Sequence, residues 1–251
     1  MAEIERILYF MEEVFGTSSY PDYRNALNGL QVEGPGEIQS LGAAVDASEA
    51  TIREAVRRGL DFLLVHHGLF WDGFGPITGP RFRKVGALIR GGLGLYSLHL
   101  PLDAHEEFGN NAILMKRLGV VPEDRFGVFK EVEIGWWGTG PQNRDELEYR
   151  LREAVGGEVH TIPGGPERVS RIGVVTGGGS SVLREAASRG LDTLVTGEAP
   201  HHAYHEAMEL GVNLLLGGHY ATETFGVRAL AARLSESFGV PWEFLHFPTG
   251  L

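Results

Sequence analysis

Apolar residues along this chain follow two periods, and the elements they predict come in a repeating order. Leu41 to Val45 and Phe62 to Val65 are short continuous apolar runs, the pattern of a strand covered on both faces. A helical pattern lies between them. Gly59 stands just past its end, where a left-handed residue is needed and glycine has no steric penalty. Strand, helix and strand then recur as Ile172 to Val175, a helix ending before Gly190, and Thr193 to Val195.

The two helical segments also match residue by residue. Arg53-Glu54-Ala55-Val56-Arg57-Arg58-Gly59-Leu60-Asp61-Phe62-Leu63 shares eight of eleven positions with Arg184-Glu185-Ala186-Ala187-Ser188-Arg189-Gly190-Leu191-Asp192-Thr193-Leu194, at a constant offset of 131. A second echo sets Phe108-Gly109-Asn110-Asn111-Ala112 against Phe225-Gly226-Val227-Arg228-Ala229 at an offset of 117. The reading is an internal duplication of βαβ units. The expected fold is α/β, with two similar lobes, mixed and largely parallel sheets, and a site in the cleft between the lobes near the C-terminal strand ends. Residues 1–121 make the first expected lobe, 122–170 a short α+β connection and 171–251 the second lobe. Within the connection Gly127 to Ile134 alternates as a strand, Arg144 to Val155 reads as an amphipathic helix, and Pro163-Gly164-Gly165-Pro166 as a turn.

Composition narrows the chemistry. The 251 residues, 43% hydrophobic, suffice for one large α/β domain or two small ones. Lys and Arg number 22 against 33 Asp and Glu, a formal net charge of −11, and no basic run occurs, which speaks against nucleic acid held on a basic face. The chain has no cysteine, so any metal must sit on histidine and carboxylate. Met1-Ala2-Glu3-Ile4-Glu5-Arg6 lacks the positive segment of a secretory signal, and no stretch approaches the roughly 18 continuous apolar residues of a membrane span. A soluble cytoplasmic protein with no membrane partner is expected.

Candidate ligands cluster where predicted strands end. Val65-His66-His67-Gly68 places two histidines at the end of a buried strand. Consecutive side chains on an extended backbone point in different directions, which suits two neighbouring ions better than one. Taken alone, such histidines are as readily polar residues leaving a strand. Asp103, in Leu100-Pro101-Leu102-Asp103-Ala104-His105, reads equally as a bridging ligand, a solvated loop residue or an N-cap for a helix over Ala104 to Leu118. His219 and Glu223 stand four apart after Gly217-Gly218, on one face if a helix has begun, the spacing at which two ligands converge. Three imidazoles and two carboxylates suit zinc, iron(II) or manganese, and the carboxylates could bridge two ions about 3.5–4 Å apart with positions left open for water or substrate.

These motifs carry a resemblance. With Asn28-Gly29-Leu30-Gln31-Val32, Gly109-Asn110-Asn111, Thr196-Gly197-Glu198 and Gly218-His219-Tyr220-Ala221-Thr222-Glu223, nearly the whole chain resembles the Nif-three-like family, whose bacterial members are commonly named GTP cyclohydrolase I type 2 homologs. The resemblance implies two related α/β lobes, a dinuclear centre on His66, His67, Asp103, His219 and Glu223 holding two divalent ions per chain, and a ring-shaped homohexamer. It also places His99 near the metals as a proton donor or acceptor. The activity it implies is a metal-dependent hydrolase acting on a small molecule, a purine nucleotide such as GTP, with His99 or His105 protonating the leaving nitrogen. The rival reading is a non-catalytic metal scaffold or metallochaperone. At the offset of 131, His66 and His67 map onto Gly197 and Glu198, so one site is expected, with Glu198 facing it as a supporting or substrate-binding carboxylate.

Three further motifs carry alternatives. Thr176-Gly177-Gly178-Gly179-Ser180-Ser181 reads as a tight βα turn ahead of a phosphate cradle, having no P-loop lysine. His201, His202 and His205 read as cleft-lining or solvent-facing, and Trp136-Trp137 as packing or subunit contact ahead of purine stacking.

Overall fold

The computed structural model describes every residue except Asp72 and Phe74. Its contacts divide the chain into two compact units, Met1–Leu102 with Gly226–Phe247, and Asp103–Phe225 with Pro248–Leu251.

The first unit holds a five-stranded sheet in the order Trp242–Phe244, Leu41–Asp46, Phe62–His67, Gly94–Ser97, Gly29–Val32. Neighbours along the first four are parallel and the last pair is antiparallel. Leu41–Asp46 and Phe62–His67 are each buried through their first five residues, which is why they read as unbroken apolar runs. Ile52, Leu63, Val65, Leu88 and Leu95 share one core cluster. The helix Glu49–Arg57 starts at Ser48, whose hydroxyl accepts the Thr51 N–H at 3.1 Å, and is followed by Gly59 at φ +70°. Asp61 then fastens the strand entry, its Oδ2 accepting the N–H groups of Gln39 and Ser40 at 2.7 and 3.0 Å.

The second unit holds a six-stranded sheet in the order Asp124–Phe129, Val132–Asn143, Arg168–Val174, Thr193–Thr196, Asn213–Leu216, His160–Pro163. Only its middle pairings, Arg168–Val174 to Thr193–Thr196 to Asn213–Leu216, are parallel. The other three are antiparallel. The second repeat again makes strand, helix and strand, with Gly190 at φ +71° after the helix Leu183–Ser188. Asp192 Oδ2 accepts the N–H groups of Ser170 and Arg171 at 2.8 and 3.0 Å, the fastening that Asp61 makes in the first unit.

The α/β class and mixed sheets are as expected, while several details differ. The chain does not divide at 121 and 170. The segments read as a connection supply three strands of the six-stranded sheet, because Val132–Asn143 pairs along Arg168–Val174. Trp242–Phe244, read as second lobe, lies in the first unit because it pairs parallel with Leu41–Asp46. The second sheet is consequently less parallel than expected. Gly127 to Ile134, expected as one strand, is strand on both sides of a tight reversal, Gly127 to Phe129 pairing back on Val132 to Ile134 about a turn at Lys130 with φ +52°. Arg144–Val155 is the helix the pattern predicts. No helix among the described residues is long and apolar enough to cross a membrane.

Candidate metal centre

Each unit carries its own set of donors. In the first, His66 and His67 end the strand Phe62–His67, and His99 follows the next strand, Gly94–Ser97. The three offer ring nitrogens that lie within 4.8 Å of one another. The His66 and His67 rings stand 4.8 Å apart, closer than strict alternation of strand side chains predicts, because His67 is the last residue of its strand.

The orientation of these rings follows from their neighbours. His66 is fully buried and its Nδ1 meets the Leu98 carbonyl oxygen at 2.9 Å. His67 Nδ1 meets Asp46 Oδ1 at 2.8 Å, from the residue paired with it on the adjacent strand. His99 Nδ1 meets Asp22 Oδ1 at 2.9 Å. A carbonyl or carboxylate oxygen only accepts, so Nδ1 carries the proton in each ring and Nε2 carries the lone pair that can ligate. Asp22 also accepts the N–H groups of Tyr23 and Leu100 at 2.6 and 3.0 Å and the Asn28 amide at 2.8 Å. Burial alone would raise its pKa; the hydrogen bond and charge of His99, with Asn28 and Tyr23, hold it below the ordinary value. Trp71 stands edge-to-face against His99 and His67, ring centroids 4.7 and 5.6 Å away.

Gly68 and Gln31 set the backbone after the histidine pair. Gln31 Oε1 accepts the Leu69 N–H at 2.8 Å and its Nε2 donates to Leu27 and Ala26 carbonyls at 3.0 and 3.1 Å. A Cβ on Gly68 would sit 2.3 Å from Gln31 Nε2, so the amide lies flat where only glycine leaves room.

In the second unit, His219 opens the short helix His219–Thr222 directly after Asn213–Leu216 and Gly217-Gly218. Its Nε2 lies 3.2 Å from Glu223 Oε2, the convergence expected at a separation of four, and its Nδ1 lies 3.0 Å from Glu198 Oε1. Burial would lower the His219 pKa, but the Glu223 and Glu198 carboxylates outweigh it and raise it to about 9. Positive charge is favoured at this ring. Gly177, at φ +62°, is shaped around Glu223: a Cβ there would lie 2.0 Å from Glu223 Oε1. Gly197 is equally closed, its Cβ position lying 2.7 Å from His219 Cα.

Asp103 and Glu223 are 5% and 3% exposed, so each carboxylate needs cations or donors around it. Asp103 Oδ1 takes the Asn110 amide at 2.8 Å and the Thr176 hydroxyl at 3.3 Å. Asp103 lies inside the short helix Leu100–Ala104, and the next helix, Asn110–Arg117, has Gly109 at its N-cap, so the capping alternative does not hold. Position 109 is restricted to glycine, because the His105 carbonyl oxygen lies 2.1 Å from where a Cβ would be.

The remaining candidates resolve locally. His105 Nδ1 accepts the N–H groups of Glu107 and Phe108 at 3.1 Å, its ring stacks on Phe108, and burial lowers its pKa. The Thr176 to Gly179 loop is a turn in which three N–H groups are already taken: Thr176 by Asn111 at 2.7 Å, Gly177 by Thr222 at 3.1 Å and Gly179 by Thr196 at 3.0 Å. His201 and His205 are exposed, with rings 6.1 Å apart. Trp136 and Trp137 are covered by the Arg125 and Arg171 guanidinium groups at 3.7 and 4.3 Å.

Asp22 and Asp46 escaped the sequence reading. Asp46 had a signal, as the last residue of a strand beside the histidine strand, whereas Asp22 lies in the irregular segment between the helix Ile4–Phe15 and the strand Gly29–Val32, with no pattern to mark it. Imidazoles turned by Nδ1 contacts, buried carboxylates and a glycine recess around Glu223 fit a divalent cation with nitrogen and oxygen ligands.

The sequence profile of Duf34/NIF3 (NGG1p interacting factor 3) matches residues 2–249. A Deinococcus radiodurans protein named GTP cyclohydrolase 1 type 2 homolog is 43% identical over 249 residues, covering 98% of this chain and 94% of the relative. An Archaeoglobus fulgidus protein of the same name is 40% identical over 251 residues, covering 100% and 99%. The crystal structure of TTHA1606 from Thermus thermophilus matches with a TM-score of 0.90 at 40% identity, covering 100% of both chains.

Proposed function

The chain belongs to the Duf34/NIF3 family, and from that premise we propose that it is a metal-dependent hydrolase whose dinuclear centre takes two divalent ions on His66, His67, Asp103, His219 and Glu223. The observation that carries the reading is the common anchoring of the three ligand histidines by Nδ1, to Leu98, Asp46 and Glu198. Imidazoles held this way present Nε2 at a fixed rotation, the arrangement a metal ligand requires. Zinc, iron and manganese all suit the donors.

When bound, such ions supply Lewis acidity and bring the pKa of water toward neutrality. The chain's own residues position the rest. His99, with its Nδ1–H held by the Asp22 carboxylate, keeps Nε2 to take a proton or return it to a leaving nitrogen, and the carboxylate stabilises the imidazolium formed in between. His105, whose Nδ1 accepts two backbone N–H groups, has Nε2 as its proton-carrying nitrogen and is the second candidate acid. The relatives' name motivates the substrate, the purine ring of GTP. We also read the two units as diverged copies, a reading supported by the Asp61 and Asp192 fastenings at matching repeat positions, and the chain as the protomer of a homohexamer, which the family resemblance alone motivates.

Elemental analysis of the purified protein, followed by assay of GTP, phosphoesters and cyclic amidines with the metal found, tests the proposal. Two ions per chain and turnover are expected, with stoichiometry falling in Asp103→Ala and Glu223→Ala. Two ions retained without turnover of any substrate would reject the hydrolase and leave an ion carrier. Two ions retained in both variants would reject the ligand assignment.

A further inference from the structure

The groove between the helices Glu49–Arg57 and Gly79–Gly91 of the first unit carries chemistry that none of the metal donors shares. It encloses about 400 Å³ and is lined by four arginines, Arg53, Arg57, Arg83 and Arg90, with Phe82 among them. The helices meet this closely over glycine: a Cβ on Gly91 would lie 2.5 Å from Val56 Cγ2. Gly86 likewise leaves space for the Arg90 guanidinium, whose Nη atoms lie 3.0 Å from where a Cβ would be.

Charge in this groove runs against the rest of the chain. The helix Gly79–Gly91 contains Arg81, Arg83, Lys84 and Arg90 and no acidic residue, in a chain of net charge −11. The carboxylates nearby are shared rather than matched. Arg53 and Arg83 both reach Glu49, at 2.8 and 2.7 Å. Arg57 reaches Glu54 at 2.6 Å, and the same carboxylate takes Arg58 at 2.7 Å. Arg90 has no carboxylate partner among the described residues. Four groove arginines therefore face two carboxylates, Glu54 being shared with Arg58, which has Glu243 as well, and two negative charges are wanting.

We propose that this groove is a binding site for a small oligophosphate, an anion carrying at least two negative charges on adjacent phosphoryl groups. A single carboxylate offers these guanidinium groups only what Glu49 and Glu54 already give. A pyrophosphoryl group brings the missing charge in a compact form, and its oxygens accept from guanidinium forks pairwise. Phe82, 54% exposed at the rim, adds a ring face for a planar substituent, so a nucleoside diphosphate fits the groove better than inorganic pyrophosphate. The volume lies in the range of small-ligand sites.

Isothermal titration at low salt tests the site with inorganic pyrophosphate, adenosine diphosphate and adenosine, on the wild type and on Arg90→Glu, Arg90→Lys, Phe82→Ala and His66→Ala. Both phosphate compounds are expected to bind, weakening as salt rises, with adenosine far weaker. Arg90→Glu should weaken both by about tenfold or more, the size of one charge-assisted hydrogen-bonded pair, and Arg90→Lys by less. Phe82→Ala should erase the preference for the nucleotide, while His66→Ala leaves all affinities in place. Absence of binding by both phosphate compounds at millimolar concentration overturns the proposal. So does binding that survives Arg90→Glu and disappears in His66→Ala, since the anion then belongs to the metal donors.

Discussion

Glu198 holds His219 by its Nδ1 at 3.0 Å, and the imidazole is thereby turned so that Nε2 faces Glu223. A carboxylate at a position where the matching repeat has His67 thus fixes the ring of a different histidine. Its influence is electrostatic as well as geometric. The His219 pKa of about 9 lies above the ordinary 6.5, so the ring contributes stability that is fully present below pH 6.5 and lost as pH rises through 9. Thermal melts of metal-free protein across that window should show Tm falling. In Glu198→Gln the fall should begin at lower pH, by a modest amount because Glu198 is half exposed. Superimposable profiles would show that Glu198 contributes nothing to the charge on His219.

Asp22 has the opposite sign. Its folded pKa lies below the ordinary 3.8, so it stabilises the fold above that pH and the contribution is lost as pH falls further. Asp22→Asn replaces one acceptor oxygen with an amide facing donors. Urea unfolding at neutral pH should show a loss of about 1–3 kcal/mol, the cost of leaving buried donors unmatched. The difference from wild type should shrink in acid.

Gly177→Ala tests the recess around Glu223. A left-handed alanine costs about 1–2 kcal/mol by itself, and the added methyl group competes with Glu223 Oε1 for one position. A lowered Tm together with reduced bound metal is expected from melts and elemental analysis. Full metal content in a destabilised variant would mean that Glu223 relocates without consequence for binding.

Asn111→Ala tests the framing of Asp103. The Asn111 amide is buried, accepting the Thr176 N–H at 2.7 Å and donating to the Ile134 carbonyl at 2.8 Å. Removing it leaves the buried Thr176 N–H without its acceptor, at a cost of about 1–3 kcal/mol, and takes a donor from the half-buried Ile134 carbonyl. Chemical unfolding measures the sum, and a loss under about 1 kcal/mol would mean that Thr176 finds another acceptor.

Much of this was legible in the sequence because it rests on local rules. The apolar runs at Leu41 and Phe62, the left-handed glycines 59 and 190, the helix Arg144–Val155 and the separation of His219 from Glu223 each follow from neighbours a few residues apart. What stayed hidden depends on distant pairing. Nothing near Trp242 announces that its strand joins Leu41–Asp46, and nothing near Asp22 announces that His99 arrives beside it. The hairpin at Lys130 was concealed for a different reason: a turn on a non-glycine left-handed residue keeps the alternation of its flanks.

Asp61 and Asp192 each fasten the entry of a strand whose exit carries the differing chemistry, His66 and His67 in one unit and Gly197 and Glu198 in the other. Entry and exit are separated by the length of a buried strand, and the matching residues of the two repeats lie at the entry. Each strand therefore works as a stem clamped at its root, and its tip is where residues can be exchanged without loosening the clamp. Glu198→His would accordingly be an alteration of chemistry at the tip with the Asp192 clamp left as it stands, whereas position 197 is held to glycine by the His219 backbone beside it.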